Sequence, residues 1–569
     1  MAANFLSRRT VFGVVVGLCL ALVLIRNMLS KAINEIPAIR VAPQKVEVQR
    51  KQLPAGGNMI ENFILKTWDI NVFKNFDSSH TTRKNVFASG PSSMGITSHA
   101  KTIVQLISPR GHIQVGDIIK YRIQARDSEG RDRIIGGDFW YATLNSTNPL
   151  ASTAGYVIDY NNGTYEVTLL AAWAGQAEFR LILVHPSEAV NHLRNVVRNS
   201  EHRSFWTGYF NKNGKKSESS ACFLRSGGPW TEMCEYPAHQ ALGKTIFLCQ
   251  KPKRFSCNDF NSYKTDWDKC NARADELTEG KEYLFKSPYF MQPVQIKKDG
   301  TLKIEAGFLP PLEDLPRCLP DQEIPAVQGY WLNGTWHSML CRMPDFPMDV
   351  LRKCLHGKTL LLHGDSTTRQ WFEEFHKVLP AGERIEKTTN KPGELKPTQS
   401  LIVSTNLTIY FYFHPDRYGY VTYASKGMEY EVDVLDKLTT LDCRRYIIVL
   451  SPWAHFTLWT RDGFIERMAL VRNAVLRLRK RCPDIIIVIK GPHPRHFANY
   501  FIRVNFSDFL AKENGYILRD AFEGTGAFYL PVWDLNLSHH SRNQLHMPKE
   551  VIAQELKMFL GYICDNLTY

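Results

Sequence analysis

At 569 residues the chain is long enough for roughly two to four domains. An apolar content of 44% with 12 Trp excludes a disordered or low-complexity protein. The formal charge of +14 is spread along the chain rather than gathered into Lys/Arg blocks. With no nucleic-acid-binding motif beside it, it argues against a nucleic-acid partner and leaves a basic surface suited to acidic glycans.

In chain order, Arg8 and Arg9 precede an apolar run from Val11 to Ile25 that is closed by Arg26 and Lys31. A helix of that length spans about 22 Å, short for a membrane span. No small-x-small cleavage site follows, so residues 1–30 read as a cytoplasmic tip and an uncleaved signal anchor. The remainder would be lumenal, type II, in the Golgi membrane, since a short span suits thinner membranes. A cleaved signal peptide and a secreted chain is the alternative.

Residues 31–98 lack periodicity and read as a stem. From 99 to 190, short alternating segments such as Ile118-Ile-Lys-Tyr-Arg-Ile and Ala177-Glu-Phe-Arg-Leu-Ile-Leu-Val are separated by turns such as Asn161-Asn-Gly. That spacing predicts a β-sandwich. Asp159-Tyr-Asn-Asn-Gly-Thr-Tyr-Glu-Val followed by Ala174-Gly resembles filamin-type immunoglobulin repeats. Residues 191–328 hold five cysteines between Cys222 and Cys270 and read as a disulfide-stapled connector.

From 329 to 569 strands and helices alternate. Thr359–Leu362, Leu407–Phe413, Tyr446–Leu450, Ile485–Ile489 and Tyr516–Leu518 read as strands, and Gly463 to Arg481 as an amphipathic helix. The pattern predicts a doubly wound, mostly parallel sheet.

The compartment follows from two further counts. Seven Asn-x-Ser/Thr sequons are present, at Asn145, Asn162, Asn333, Asn406, Asn505, Asn536 and Asn566. Of 12 cysteines, Cys19 lies in the apolar run, and the other eleven carry no zinc-like spacing. Disulfides in an oxidising lumen are expected, with one thiol left free or paired between chains. Metal spacing and a Gly-rich nucleotide loop are both missing, which disfavours a nucleotide-sugar transferase.

The chemistry centres on Lys358-Thr-Leu-Leu-Leu-His-Gly-Asp-Ser-Thr-Thr-Arg-Gln-Trp371. A strand, a Gly364-Asp365-Ser366 turn and a helix in succession place Ser366 at a strand C-terminus and a helix N-terminus, where backbone N–H groups can hold an oxyanion. A hydroxyl nucleophile needs a histidine base and an acid to orient it. His546, before Met547-Pro548, is the candidate base, and Asp534 the candidate acid. Gly364, Asp365, His455 and Arg369 are further oxyanion or cleft candidates. Arg369 suits either an acidic sugar or an internal carboxylate. His493 and His496 read as a surface loop, and His539 and His540 as solvent-exposed.

Leu361-Leu-His-Gly-Asp-Ser-Thr-Thr-Arg-Gln-Trp371, Val532-Trp-Asp534 and His546-Met-Pro through Phe559-Leu-Gly-Tyr-Ile-Cys564 together resemble the neurexophilin and PC-esterase domain (NXPE) family. The resemblance spans nearly the whole chain. It implies a neurexophilin-like sandwich and an α/β domain of the Ser-Gly-Asn-His (SGNH) hydrolase type. Ser366 would be the nucleophile, His546 the base and Asp534 the third member. Three positions depart from the pattern. Asn543 stands where the broader class has Asp three residues before the His. Ser451-Pro-Trp-Ala-His455 replaces a Gly-x-Asn turn, leaving His455 or Trp453 as donors. Met547 stands where the family tends to have Pro.

Acetyl transfer to glycan hydroxyls, sialic acid or related, is the leading expectation. No cofactor is expected to be bound, and acetyl-CoA is the candidate acyl donor. An acetylesterase, or a non-catalytic neurexophilin-like binding glycoprotein with a protein partner, are the alternatives.

Overall fold

The computed structural model describes residues 95–567 apart from 110, 213–216, 376–384, 388–396, 426, 496, 498 and 542–543. The expected anchor, the stem up to residue 94, Cys19, His496 and Asn543 lie outside the described residues. Among those described, no helix is long and apolar enough to cross a membrane.

Period-two alternation builds the first layer pair. Ile103–Ser108, Ile118–Gln124, Thr164–Leu170 and Tyr156–Asp159 form a four-stranded sheet in that order. Ile119, Tyr121, Ile123, Tyr165, Val167 and Leu169 turn inward from it. They meet Trp140, Ala142, Leu144, Phe179 and Leu181 of a larger sheet, with Tyr121 stacked on Phe179 at 4.0 Å. The larger sheet runs Thr335–Ser338, Gly329–Leu332, Leu150–Ala154, Phe139–Thr147, Gly175–His185, Thr301–Glu305, Ile113–Gln114. The hairpin at 329–338, which the sequence pattern assigns to the C-terminal domain, therefore extends this sheet by pairing Trp331 with Ser152.

The Cys-rich segment is a sheet rather than a connector. Met233–Tyr236, Thr245–Gln250, Glu218–Ser226, Phe205–Phe210 and Phe260–Thr265 lie side by side, and Tyr423–Ala424 of the C-terminal region adds the sixth strand. Cys222 and Cys249 face each other across two strands and are bonded, as are Cys234 and Cys257. Three more disulfides, Cys318–Cys341, Cys354–Cys564 and Cys443–Cys482, follow. Cys270 is the free, buried thiol, which accounts for the odd count.

The C-terminal sheet contains β1 (Thr359–Gly364), β2 (Ile385–Lys387), β3 (Thr398–Ile402), β4 (Leu407–Phe413), β5 (Tyr446–Ser451), β6 (Ile486–Lys490) and β7 (Phe528–Leu530). Its order is β2-β3-β4-β1-β5-β6-β7. From β4 to β7 all neighbours are parallel, while β2 and β3 close one edge antiparallel.

Helices cover both faces. On one are α1 (Met348–Leu355), α2 (Ser366–Phe375) and α7 (Lys549–Leu567); on the other are α3 (Glu431–Lys437), α4 (Arg461–Arg481) and α5 (Asp508–Phe522). α6 (Trp533–Ser538) follows β7. Strand residues alternate between the two cores. Leu360, Leu362, Ile447, Val449 and Val488 meet Trp371, Leu556 and Phe559. Leu361, Ile448, Leu450, Ile487 and Ile489 meet Met468, Val471 and Val475.

Tyr516–Leu518, read as a strand, lies within α5. Its short apolar run belongs to a longer helical stripe of Leu510, Ala511, Ile517, Leu518 and Phe522, and Ser507 caps it by accepting from the Phe509 amide. The last strand comes ten residues later.

Candidate functional site

Chain direction puts the site at the C-terminal edge of the sheet. The parallel strands lie in the order β4-β1-β5-β6-β7, so the connections leave β1 and β5 in opposite directions; the crevice between their ends is the switch point where α/β sheets bind ligands. β1 is buried along its whole length and delivers Gly364, Asp365 and Ser366 there. Gly364 is required by close approach: a Cβ would sit 2.3 Å from Thr368 Oγ1 and 3.0 Å from the Ser451 carbonyl oxygen.

Asp365 shapes the turn. Its Oδ1 accepts from the Thr367 amide (2.8 Å) and the Thr367 hydroxyl (2.7 Å), so it caps α2. Its Oδ2 accepts from the Ala454 amide at 3.0 Å, in the loop after β5. Trp453 Nε1 donates to Thr367 Oγ1 at 3.2 Å, so two strand ends are stapled together behind the serine. Asp365 is thus a scaffold for Ser366, with its oxygens occupied. The Ser366 amide, first in α2, has no acceptor among the described residues, as expected at a helix N-terminus.

His546 arrives from the loop before α7. Its Nε2 lies 2.8 Å from Ser366 Oγ. A second bond, from Gln370 Nε2 to the Met547 carbonyl at 2.9 Å, ties the same loop to α2. Met547 is buried in the core beneath, so the position where Pro is expected holds an apolar peg. The outer edge of His546 is exposed, yet desolvation holds its imidazolium below the usual histidine range. Arg369 and Arg495 push the same way, against Asp365 and Glu373. A neutral imidazole facing a serine hydroxyl is the arrangement a general base requires.

The structure does not bring Asp534 to this pair. It lies on α6, buried, in the field of Lys512, and burial raises its carboxyl to about 6. No carboxylate contacts His546 Nδ1 among the described residues. Arg369 pairs with Glu373 at 3.1 Å, one turn on along α2. His455 is buried against Phe413, His414 and Tyr418, and that burial pulls it down to about 4. The Trp453 indole is already spent on Thr367.

Two histidines read as surface groups are buried. His493 packs its ring against Trp453 at 4.8 Å. His539 packs against Trp331 at 4.7 Å, and burial lowers it to about 4. His540 is exposed, as expected. Of the sequon asparagines, Asn162, Asn333 and Asn406 are exposed, and Asn145 and Asn566 half-buried. Asn505 and Asn536 are buried, the latter donating to Glu555 at 2.8 Å. The folded chain has no room for a glycan at either.

Sequence reasoning missed Thr367, Gln370 and Arg495. Thr367 and Gln370 follow Ser366 within one helical turn, so their proximity was available, but their partners were not. No set of three or more His, Cys, Asp or Glu side chains converges as a metal ligand set among the described residues.

A helix-capped serine at a sheet switch point, met by a histidine from the last loop, defines the C-terminal part as an α/β domain with a serine–histidine pair. It is joined to a disulfide-bonded, β-rich N-terminal part, and the disulfides are those of a secretory-pathway protein. Residues 86–288 match the neurexophilin family model, and residues 336–564 match the model of the NXPE family member 4-like C-terminal domain. Between them the two models span most of the chain, which belongs to the NXPE family.

Proposed function

We propose that the chain transfers an acyl group, acetyl, to hydroxyls of glycans in the secretory pathway through an acyl-enzyme on Ser366. The observation that carries this reading is the 2.8 Å contact between Ser366 Oγ and His546 Nε2 at a helix N-terminus. Ser366 Oγ would attack the donor carbonyl as its proton passes to His546. Collapse of the tetrahedral intermediate expels the donor's leaving group, which takes that proton. A glycan hydroxyl then repeats the sequence in reverse order. Acetyl-CoA is the proposed donor.

Arg369 and Arg495 bring two cations near His546, against the carboxylates of Asp365 and Glu373, and those cations support an acidic acceptor such as sialic acid. The strand order, with helices on both faces, supports the SGNH-like reading of this domain, and the two facing sheets support an immunoglobulin- or filamin-like sandwich. A Golgi membrane anchor at residues 1–30 belongs to the same proposal. If water takes the acyl group, the same intermediate makes an esterase. That no carboxylate meets His546 Nδ1 among the described residues favours one further reading, a non-catalytic glycoprotein that binds a protein partner through its neurexophilin-like part.

The test is incubation of the purified chain with labelled acetyl-CoA and sialylated or neutral glycans. Ser366→Ala and His546→Ala should each abolish label transfer and release while secretion and thermal melting stay unchanged. Activity that survives both substitutions would overturn the enzymatic readings.

A further inference from the structure

We propose that Arg495 is the second oxyanion donor of the Ser366 site, an assignment that rests on the acyl-enzyme reading above. When Ser366 Oγ bonds to the acyl carbon and its proton moves to His546 Nε2, the carbonyl π pair moves onto oxygen. That negative charge needs two or more donors aimed at it. The Ser366 amide is one. The loop after β5, where the broader class of hydrolases places its asparagine, has no such side chain, and several of its donors are already used. Pro452 has no N–H, the Ala454 amide is given to Asp365 and the Trp453 indole to Thr367, and His455 is enclosed by aromatic rings.

Arg495 comes from the loop after the next strand, β6. It is only 8% exposed. Its amide is fixed to Asp508 Oδ1 at 2.9 Å, its guanidinium lies over the Phe506 ring at 4.9 Å, and the ring of His493, two residues earlier, packs on Trp453. Those contacts run on through Trp453 and Thr367 to Ser366. The guanidinium forms no ion pair and no side-chain hydrogen bond among the described residues, and its Nε is buried without a partner. Its charge acts on His455 and His546, and the carboxylates of Asp508 and Asp365 act on it without forming an ion pair. A buried cation with no carboxylate in hydrogen-bond reach is costly. Here its charge reaches the Ser366–His546 pair, where an anion forms only during reaction, so the oxyanion would offset that cost in the transition state.

In the reaction, the oxyanion would be held by the Ser366 N–H and the Arg495 guanidinium. On collapse the electron pair returns to re-form the carbonyl, and the leaving group takes the proton from His546.

The experiment uses the full chain and para-nitrophenyl acetate, a neutral ester with no carboxylate to bind. Arg495→Ala should lower kcat about 100- to 1000-fold with KM nearly unchanged, and added methylguanidine should restore part of the rate. Arg495→Lys should fall between the two. If Arg495→Ala is not secreted, Arg495→Gln and Arg495→Lys carry the same kcat and rescue comparison. Wild-type turnover in these variants, a change confined to KM, or a loss that methylguanidine does not relieve would overturn the assignment while leaving the acyl-enzyme intact. A wild-type chain inert both to this ester and to a fluorophosphonate probe at Ser366 would overturn the acyl-enzyme reading and the Arg495 assignment with it.

Discussion

The geometry of the Ser366–His546 pair depends on a buried ion pair behind it, and Glu555→Gln tests that dependence. Lys490 Nζ and Glu555 Oε2 are 3.4 Å apart, with side chains 1% and 0% exposed. Glu555 Oε2 also accepts from Trp371 Nε1 at 2.6 Å, and Oε1 accepts from Asn536 Nδ2 at 2.8 Å. One carboxylate therefore joins β6, α2, α6 and α7. α2 starts at Ser366, and α7 follows the His546 loop. Glutamine keeps one acceptor but turns an NH2 toward a donor, which removes one charge-assisted bond worth about 1.5–3 kcal/mol. It also leaves Lys490 buried and uncompensated, so the total cost should be about 3–5 kcal/mol.

Replacing Lys490 with Met at the same time removes the stranded charge. The double variant Glu555→Gln/Lys490→Met should then lose less than the sum of the single variants, with a coupling of at least about 1 kcal/mol. Urea unfolding followed by tryptophan fluorescence measures all four corners of the cycle, and para-nitrophenyl acetate turnover reports on the serine. A Glu555→Gln cost below about 0.5 kcal/mol, the range of a neutral surface change, or additive single effects, would refute the reasoning.

Three further outcomes follow from the site and the sequons. The acid limb of the rate should fall below the ordinary histidine range, because His546 must be neutral to act and its folded pKa is lowered. Activity is thus retained below pH 6.5 and lost as pH falls through the folded value. Arg369→Gln should move that limb up and Glu373→Gln should move it down, both less so in high salt. Gly364→Ala should cost about 1–3 kcal/mol in urea unfolding, since its methyl meets Thr368 Oγ1 and the Ser451 carbonyl; Thr368→Ala should relieve part of that loss. Peptide mapping after enzymatic deglycosylation should find glycans only among Asn145, Asn162, Asn333, Asn406 and Asn566. Substantial occupancy at the buried Asn505 or Asn536 would contradict the fold around them.

The parts of the site legible in the sequence were those set by local pattern. A buried strand, a tight turn and a helix are readable from Thr359–Leu362, Gly364 and the Trp371-Phe372-Phe375 stripe, and a histidine before a final helix is readable from its flanks. The misread parts depend on which way a side chain faces. Asp534 lies twelve residues from His546, but α6 turns it toward Lys512. His493 and His539 sit in polar stretches, yet each finds a tryptophan to cover it. Arg495 carries no local pattern at all: the role proposed for it rests on burial without an ion pair among the described residues. The pairing of the 329–338 hairpin with Leu150–Ala154 is not legible locally, because the partner is far away in sequence and nothing in either segment marks it.

The site also draws on the N-terminal half more than a division at residue 329 implies. The segment leaving β4 runs past the site through His414, Arg417 and Tyr418. It then becomes the edge strand Tyr423–Ala424, which pairs with Tyr263 and Ser262 of the disulfide-bonded sheet. Trp206 Nε1 holds the Arg417 carbonyl at 3.0 Å, and Tyr418 donates to Ser204. The ring of Tyr418 in turn packs on His455, beside the serine turn. On the other side, Tyr141 of the larger N-terminal sheet donates to Asp508, the residue that fixes the Arg495 amide. The loops after β4 and β6 are therefore held in part by residues of the neurexophilin match. Contacts from the first family-model match thus add to those the C-terminal part makes for itself around Ser366.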